Sequence, residues 1–308
     1  MLLIKPLLRV LVVSVVVAAH AGAAIAQPPA GRGAPPPAVR IGPSAPVPPE
    51  VAMLRPGPAE LQRINDALRA FIAADRSPAS DLLKKYEPII MVPPPRLNVA
   101  ATYTQTAQRM GPRHEGFVET AKAGNIDLLL HGDSITDWWV QNDDNKKMFE
   151  KYFADIRTAN FAIAGDTTQG VLWGMHNGEG QGFQPKAVML MIGTNNTIAN
   201  TAPEIAEGIG AIVLEMRKDF PDAKILLLGI FPRSTPDNPL RSTIAEINKS
   251  IAKLHDGKHV FYLDIGGKFL DAEGNIPRDV MGDGLHPTTK GYEIWAEAVK
   301  EPLANLLK

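Results

Sequence analysis

Apolar and polar positions along this chain follow two different periods. "AELQRINDALRAFIAA", residues 59–74, places Leu61, Ile64, Leu68, Phe71 and Ile72 at helical spacing, the rhythm of an amphipathic helix. "MVPPPRLN" then breaks any helix, and "RHEGFVETAKAG" predicts another that ends near Gly124. Beyond it the pattern alternates. Continuous apolar runs at Ile126–Leu130, Thr158–Ala162, Ala187–Ile192, Lys224–Ile230 and Val260–Asp264 predict strands. Between them lie helical patterns, among them Glu204–Lys218 and Ser242–Leu254, and a last helix over Thr289–Leu306. Uninterrupted apolar strands alternating with helices predict an α/β fold, a parallel sheet covered on both faces. In such sheets ligands bind beyond the carboxyl ends of the strands.

The first part of the chain has no such rhythm. Residues 1–26 join a basic start (Lys5, Arg9), an apolar run from Val10 to Ala19, and Ala24-Ile25-Ala26. This is the layout of a signal peptide cut after Ala26, and the apolar run is shorter than the ~20 residues of a membrane span. Periplasmic or secreted location follows as an expectation, with no stable membrane anchor after cleavage. Residues 27–58 are about one third proline; they read as a disordered tether, because proline removes a donor and biases its neighbour to extended geometry. Residues 59–112 read as an N-terminal helical extension or a small subdomain, and residues 113–308 as the main domain.

Composition narrows the chemistry. The chain has no cysteine, which excludes thiolate catalysis, disulfides and cysteine-ligated metals. A formal net charge of −1 gives no ground for electrostatic capture of nucleic acid. Polar residues gather after four of the strand runs: Gly132-Asp133-Ser134, then Gly165-Asp166, then "IGTNN" with Asn195 and Asn196, then "GDGLHP" with Asp283 and His286. A serine hydroxyl is a weak nucleophile until a base takes its proton. An imidazole can take that proton and return it to a leaving alkoxide. His286 fits that task, and Asp283, three residues earlier, can orient its ring. The backbone N–H groups of Ser134 and Gly165 and the Asn195 amide are suitable in kind as donors to an oxyanion.

These four segments resemble the signature blocks of the SGNH (GDSL-type) hydrolase superfamily, with Ser134, Gly165, Asn195 and His286 in order and Asp283 completing an aspartate–x–x–histidine block. The likeness spans roughly residues 113–305, and "NFAIAGDTTQGVLWGM" further resembles the bacterial branch near the platelet-activating factor acetylhydrolase catalytic subunits. The resemblance implies a flavodoxin-like three-layer αβα sandwich with a five-stranded parallel sheet, and metal-independent, cofactor-free ester hydrolysis through an acyl-serine. It implies Ser134, Asp283 and His286 as the triad and Ser134, Gly165 and Asn195 as the oxyanion hole. The expected substrate is a small-molecule ester with a short acyl group, acetyl first, on a carbohydrate or other small alcohol. Many relatives carry aspartate where this chain has Asn196, a departure that bears on how that loop is held.

Each residue also has a plainer reading. Ser134 can be only a helix cap, His286 a packing residue of the last helix, and Gly165 a tight-turn glycine. Asp133, Trp138, Asp166, Trp173 and Asn196 are candidates for the substrate pocket, although Asp133, Asp166 and Asn196 also suit loop fixing, and Trp173 suits pocket wall and core equally. Trp138 and Trp139 point about 100° apart on a helix, so at most one lines a cleft. His131 reads as a packed histidine. "SIAK" at Ser250–Lys253 lies inside a helical pattern without the companion motifs of penicillin-binding enzymes. No Gly-x-Ser-x-Gly, Walker loop or His-Glu-x-x-His is present. Alternatives to the esterase are a lipid-ester hydrolase of the same family, acyl transfer to another alcohol, and a non-catalytic glycan-binding module. Oligomeric state is open.

Overall fold

A computed structural model of the chain describes residues 40–140 and 142–308. The signal peptide expected over residues 1–26, and residues 27–39 of the proline-rich stretch, lie outside the described residues. Five strands form one parallel sheet: β1 (Leu128–Gly132), β2 (Thr158–Asn160), β3 (Ala187–Met191), β4 (Lys224–Leu228) and β5 (Val260–Leu263). Their spatial order is β2-β1-β3-β4-β5, the flavodoxin-like winding, whose direction reverses between β1 and β3. Each strand falls on an apolar run read from the sequence. Most end a residue or two early, where the chain turns into a loop; β1 starts later and runs on to Gly132.

Alternate side chains of each strand face opposite ways, and both faces are covered. Leu129, Val188, Leu190, Ile225 and Leu227 pack with residues of α7 (Thr168–Gly174), α8 (Ala202–Asp219) and α9 (Pro239–Ile251). Leu128, Leu130, Met189, Met191, Leu226 and Leu228 pack with residues of α6 (Asp143–Phe153) and α10 (Thr289–Leu306), including Phe153, Trp295 and Val299. The three-layer sandwich is therefore present. α9 begins three residues before its expected start because Asn238 Oδ1 accepts from Leu240 N at 3.0 Å, ahead of Pro239. A side-chain cap followed by proline is a favoured way to open a helix.

The N-terminal part departs from expectation. The proline-rich tether does not remain free over residues 40–57. Ser44 bridges Thr102 in antiparallel fashion, Ala45 N donates to Ala101 O at 2.8 Å, and Tyr103 N donates to Pro43 O at 2.9 Å. Ala45 and Val51 are buried in the core shared with α8, and Arg55 meets Glu207 of α8 with a forked pair of bonds at 2.5 and 2.6 Å. Proline forbids donation but leaves its carbonyl free to accept, and Pro43 uses it so.

The extension holds α1 (Pro58–Ala74), α2 (Ser80–Lys85) and α3 (Glu87–Ile90), followed by a strap that leads to α4 (Pro112–Ala123). The strap does not stop at the surface. Thr102, Thr104, Thr106 and Arg109 are all buried, so the expected boundary at 112 cuts through packed structure.

Candidate active site

β1 and β3 are neighbours across the reversal of winding, with Gly132 opposite Met191. The segments that follow β1, β2 and β3 therefore emerge side by side. After β1 the chain enters a one-turn helix, α5 (Ser134–Asp137). The cap of that turn is Asp133, whose Oδ1 accepts from Ile135 N at 3.1 Å. This leaves the Ser134 hydroxyl free of capping duty. Ser134 Oγ lies 2.9 Å from His286 Nε2.

His286 follows a tight turn that its own partner shapes. Asp283 Oδ1 accepts from Leu285 N at 2.9 Å and His286 N at 2.8 Å, while Oδ2 lies 2.7 Å from His286 Nδ1. Burial works against the Asp283 charge, but the bonds from the His286 ring and these backbone groups outweigh it, and the carboxyl is held below its ordinary value. The carboxylate accepts at Nδ1, so the ring presents Nε2 to the serine. Gly284 O accepts from Ser234 N at 2.9 Å, which ties the turn to the loop after β4. Tyr292 OH of α10 donates to Ile135 O at 2.8 Å, joining the helix after His286 to the turn that carries Ser134.

Gly165 has φ 79°, in the left-handed region that side-chain-bearing residues rarely adopt. Next to it, Asp166 O accepts from Asn195 Nδ2 at 2.8 Å. An amide has two such hydrogens, and one is used here. Asn196 differs from its neighbour. It is buried; its Oδ1 accepts from Thr168 N at 2.9 Å, and its Nδ2 reaches Thr168 Oγ1, Gln169 Oε1 and Asn200 Oδ1 at 3.0–3.2 Å. An aspartate could accept the first bond but not donate the others, so asparagine is the residue that satisfies this loop.

Several pocket candidates need correction. Asp133, Asp166 and Asn196 are at most 1% exposed and hold loops in place without presenting a surface to a ligand. Burial pushes the Asp133 carboxyl up to about 7, against the bond from Ile135 N and the nearby Arg233 charge. Trp173 packs on His114 of α4 at 4.7 Å between ring centroids, not on the serine or histidine. The tryptophan pair divides as helical geometry requires. Trp139 is fully buried against Tyr292 and Trp295, and Trp138 stacks on the His286 ring at 4.0 Å.

Sequence reasoning missed three groups around the site. Arg109 bonds Asp166 Oδ2 through Nε at 2.8 Å. Gln108 lies against Gly165, where an added Cβ would sit 3.3 Å from its Nε2. Arg233 Nη1 reaches Thr194 Oγ1 at 3.4 Å, beside Asn195. None belongs to a periodic or spaced pattern, so no local signal marked them.

Comparison with known proteins places this geometry. The sequence pattern of the GDSL-like lipase/acylhydrolase family matches residues 130–294. The chain is 38% identical over 213 residues to the alpha2 subunit of platelet-activating factor acetylhydrolase IB from Rattus norvegicus, covering 68% of this chain and 90% of that protein. The Homo sapiens alpha2 subunit is 37% identical over the same length. Among solved structures, an acylhydrolase-like protein from Bacteroides fragilis superposes with TM-score 0.53 at 18% identity, covering 66% of this chain and 100% of that one. A member of the lipolytic G-D-S-L family from Veillonella parvula gives TM-score 0.50 at 16% identity, covering 58% and 98%. At such identities the structural likeness speaks for the fold alone.

Proposed function

This chain belongs to the GDSL-like lipase/acylhydrolase family and is a carboxylic ester hydrolase, and on that premise we propose that it is an exported serine esterase that removes short O-acyl groups, acetyl first, from carbohydrates or other small alcohols. The observation that carries the reading is the unbroken relay from Ser134 Oγ to His286 Nε2 at 2.9 Å and from His286 Nδ1 to Asp283 Oδ2 at 2.7 Å. Ser134 attacks the ester carbonyl as His286 takes its proton. The carbonyl oxygen gathers charge between Ser134 N–H, Gly165 N–H and the Asn195 amide. His286 then protonates the leaving alkoxide, and a water deprotonated by the same imidazole cleaves the acyl-serine.

The acetyl preference draws on the relatives named acetylhydrolase. A hydroxyl-rich alcohol is favoured by a polar recess of about 480 Å³ beside Asp283, lined by Ser234, Thr235, Asn238, Asn275 and Arg278. Trp138, half-buried over His286, adds an apolar face of the kind sugars stack on. The export reading rests on residues 1–26 alone. A second reading, hydrolysis of a lipid ester, is favoured by the exposed Phe71, Leu82 and Ile89 of α1–α3.

Assays of residues 27–308 on p-nitrophenyl acetate, butyrate and octanoate, and on acetylated xylo-oligosaccharides, separate the readings. Turnover falling steeply beyond acetate, with acetate released from the sugar, supports the first; preference for octanoate replaces it with the second. N-terminal sequencing of exported protein that begins at Gln27 tests the leader.

A further inference from the structure

An ion cluster that the triad does not use lies buried under the oxyanion donors. Arg109 comes from the strap between α3 and α4, before the residues matched by the family pattern. Its side chain is 0% exposed, as are those of Asp166 and Glu179. Nε donates to Asp166 Oδ2 at 2.8 Å, Nη1 to both Glu179 oxygens at 2.6 Å, and Nη2 to Phe161 O at 3.2 Å. Thr106 Oγ1 adds a bond to Asp166 Oδ1 at 3.2 Å. Burial opposes the Glu179 charge, but the Arg109 guanidinium and the bond from His114 at 2.7 Å hold its carboxyl down to about 2, with His131 Nε2 lying 3.5 Å away. Replacing such a cluster by apolar packing is often neutral for stability, so its use is better sought in the geometry it fixes.

That geometry leads to the oxyanion donors. Asp166 follows Gly165 directly, its N donates to Ile163 O at 3.1 Å to close the turn, and its O accepts from Asn195 Nδ2 at 2.8 Å. The backbone of Asp166 thus joins the glycine turn to the asparagine amide, while its buried carboxylate is held by Arg109 and Thr106. Helix α7 is cut to admit the cluster. A Cβ on Gly170 would lie 2.0 Å from Asp166 Oδ1, and one on Gly174 would lie 2.6 Å from Glu179 Oε2. Residues four apart share a helix face, so the two glycines form one slot for the two acids that grip Arg109.

We propose that Arg109 is a positioning residue for the oxyanion hole: through Asp166 it sets the direction of the Gly165 N–H and of the Asn195 amide. The N-terminal strap is then a working part of the active site. The proposal rests on the serine-esterase reading, in which those donors receive the developing negative charge, and is independent of the acyl group preferred. A displaced donor weakens transition-state stabilisation and leaves ground-state binding alone, so kcat falls while KM holds.

The test uses the whole chain with Arg109→Lys, Asp166→Asn and Thr106→Val. Reactive serines are counted by fluorophosphonate titration, so that misfolded protein drops out. Turnover of p-nitrophenyl acetate and inhibition by phenylboronic acid, whose serine adduct is tetrahedral and anionic, are then measured per titrated site. Losing one oxyanion donor outright costs about 100–1,000-fold; a displaced pair should cost about 10–100-fold in kcat for Arg109→Lys and Asp166→Asn, and at least about threefold for Thr106→Val. KM should stay within about threefold, the boronate inhibition constant should rise with the loss in kcat, and the variant combining Arg109→Lys with Asp166→Asn should be no worse than the worse single. Per-site kcat within about threefold of the parent in all variants, or a change confined to KM, overturns the proposal. If Arg109→Lys and Asp166→Asn fail to fold, Thr106→Val decides on the same threshold. Ser134→Ala run in parallel separates the failures. Turnover by it removes the serine reading, whereas its inactivity beside normal Arg109 variants removes the positioning role alone.

Discussion

The indole of Trp138 lies face-on against the imidazole of His286, 4.0 Å between centroids and 25° between planes. The stack is braced from behind. Trp138 O accepts from Asn145 Nδ2 at 3.1 Å, and Asn145 Oδ1 accepts from Thr289 Oγ1 of α10 at 3.0 Å. The ring that moves protons is therefore held by its carboxylate on one edge and by an aromatic face on its side. Aromatic pairs contribute about 0.5–1.5 kcal/mol beyond burial, which corresponds to roughly 2–10-fold in the population of the productive ring position. Trp138→Ala should lower kcat on p-nitrophenyl acetate by about that factor, and Trp138→Phe, which keeps a face, should lower it less. Equal kcat in the alanine variant and the parent would show that the stack does not serve the base.

The Asp283 carboxylate is the second restraint on that ring. Its side chain is 57% exposed, so water can replace part of what it supplies. A buried triad aspartate replaced by asparagine loses about 10⁴-fold through the wrong histidine tautomer. With solvent at hand, Asp283→Asn should lose about 100-fold in kcat/KM at pH 7, with a small drop in melting temperature, because a carboxyl held below its ordinary value contributes stability there. A loss below about threefold would remove Asp283 as the orienting group.

Asp133 separates capping from catalysis. It takes Ile135 N, so the adjacent serine is not spent on the helix. Its carboxyl is raised to about 7 by burial, and the sign of its linkage follows. A carboxyl raised in the folded state contributes stability that is complete below its unfolded value, near 4, and is lost as pH climbs through 7. Asp133→Asn keeps an oxygen for Ile135 N and cannot ionise. The parent should lose stability relative to this variant between about pH 4 and 7, by on the order of 4 kcal/mol at the plateau. Urea melts at pH 4, 5.5, 7 and 8 measure the difference, and parallel pH curves for the two proteins would contradict it.

The sheet could be read before any coordinate because a strand buried on both faces must be apolar at successive positions. All five such runs became strands. The polar residues at their carboxyl ends were legible for the same reason: a strand's exit is where apolar pattern gives way to chemistry. Asp283 and His286 needed only a three-residue reach. Arg109 had no comparable mark. Its partners Asp166 and Glu179 lie 57 and 70 positions away, and a single arginine bonded over such distances leaves no period or spacing. Trp173 was ambiguous because one aromatic satisfies a pocket wall and a core alike. The tether over residues 40–57 misled for another reason. Proline content reports the backbone's bias towards extension, and an extended segment can lie along a strap and a helix as readily as hang in solvent.

That segment carries the last prediction. Glu207, in the middle of α8, is 1% exposed, and Arg55 covers it with a side chain 33% exposed. Met53 N and Asn98 Nδ2 also bond the carboxylate, at 2.7 and 2.8 Å. Burial opposes the charge, yet the Arg55 fork and these donors outweigh it and hold the carboxyl below its ordinary value. A lowered carboxyl contributes stability that is present above its unfolded value and lost as pH falls through the folded one. Arg55→Met keeps the stem and removes the charge. Breaking a buried pair costs about 3–5 kcal/mol; with Arg55 partly in water and two donors remaining, about 1–3 kcal/mol should be lost at pH 7. The gap between parent and variant should shrink as pH falls below about 4.5, where protonated Glu207 no longer needs its cation. Because Arg55 also tethers residues 40–57, cleavage there by a nonspecific protease should quicken in the variant at pH 7. A variant as stable and as protease-resistant as the parent would mean that the proline-rich segment is held by Ala45, Val51 and its backbone bonds alone.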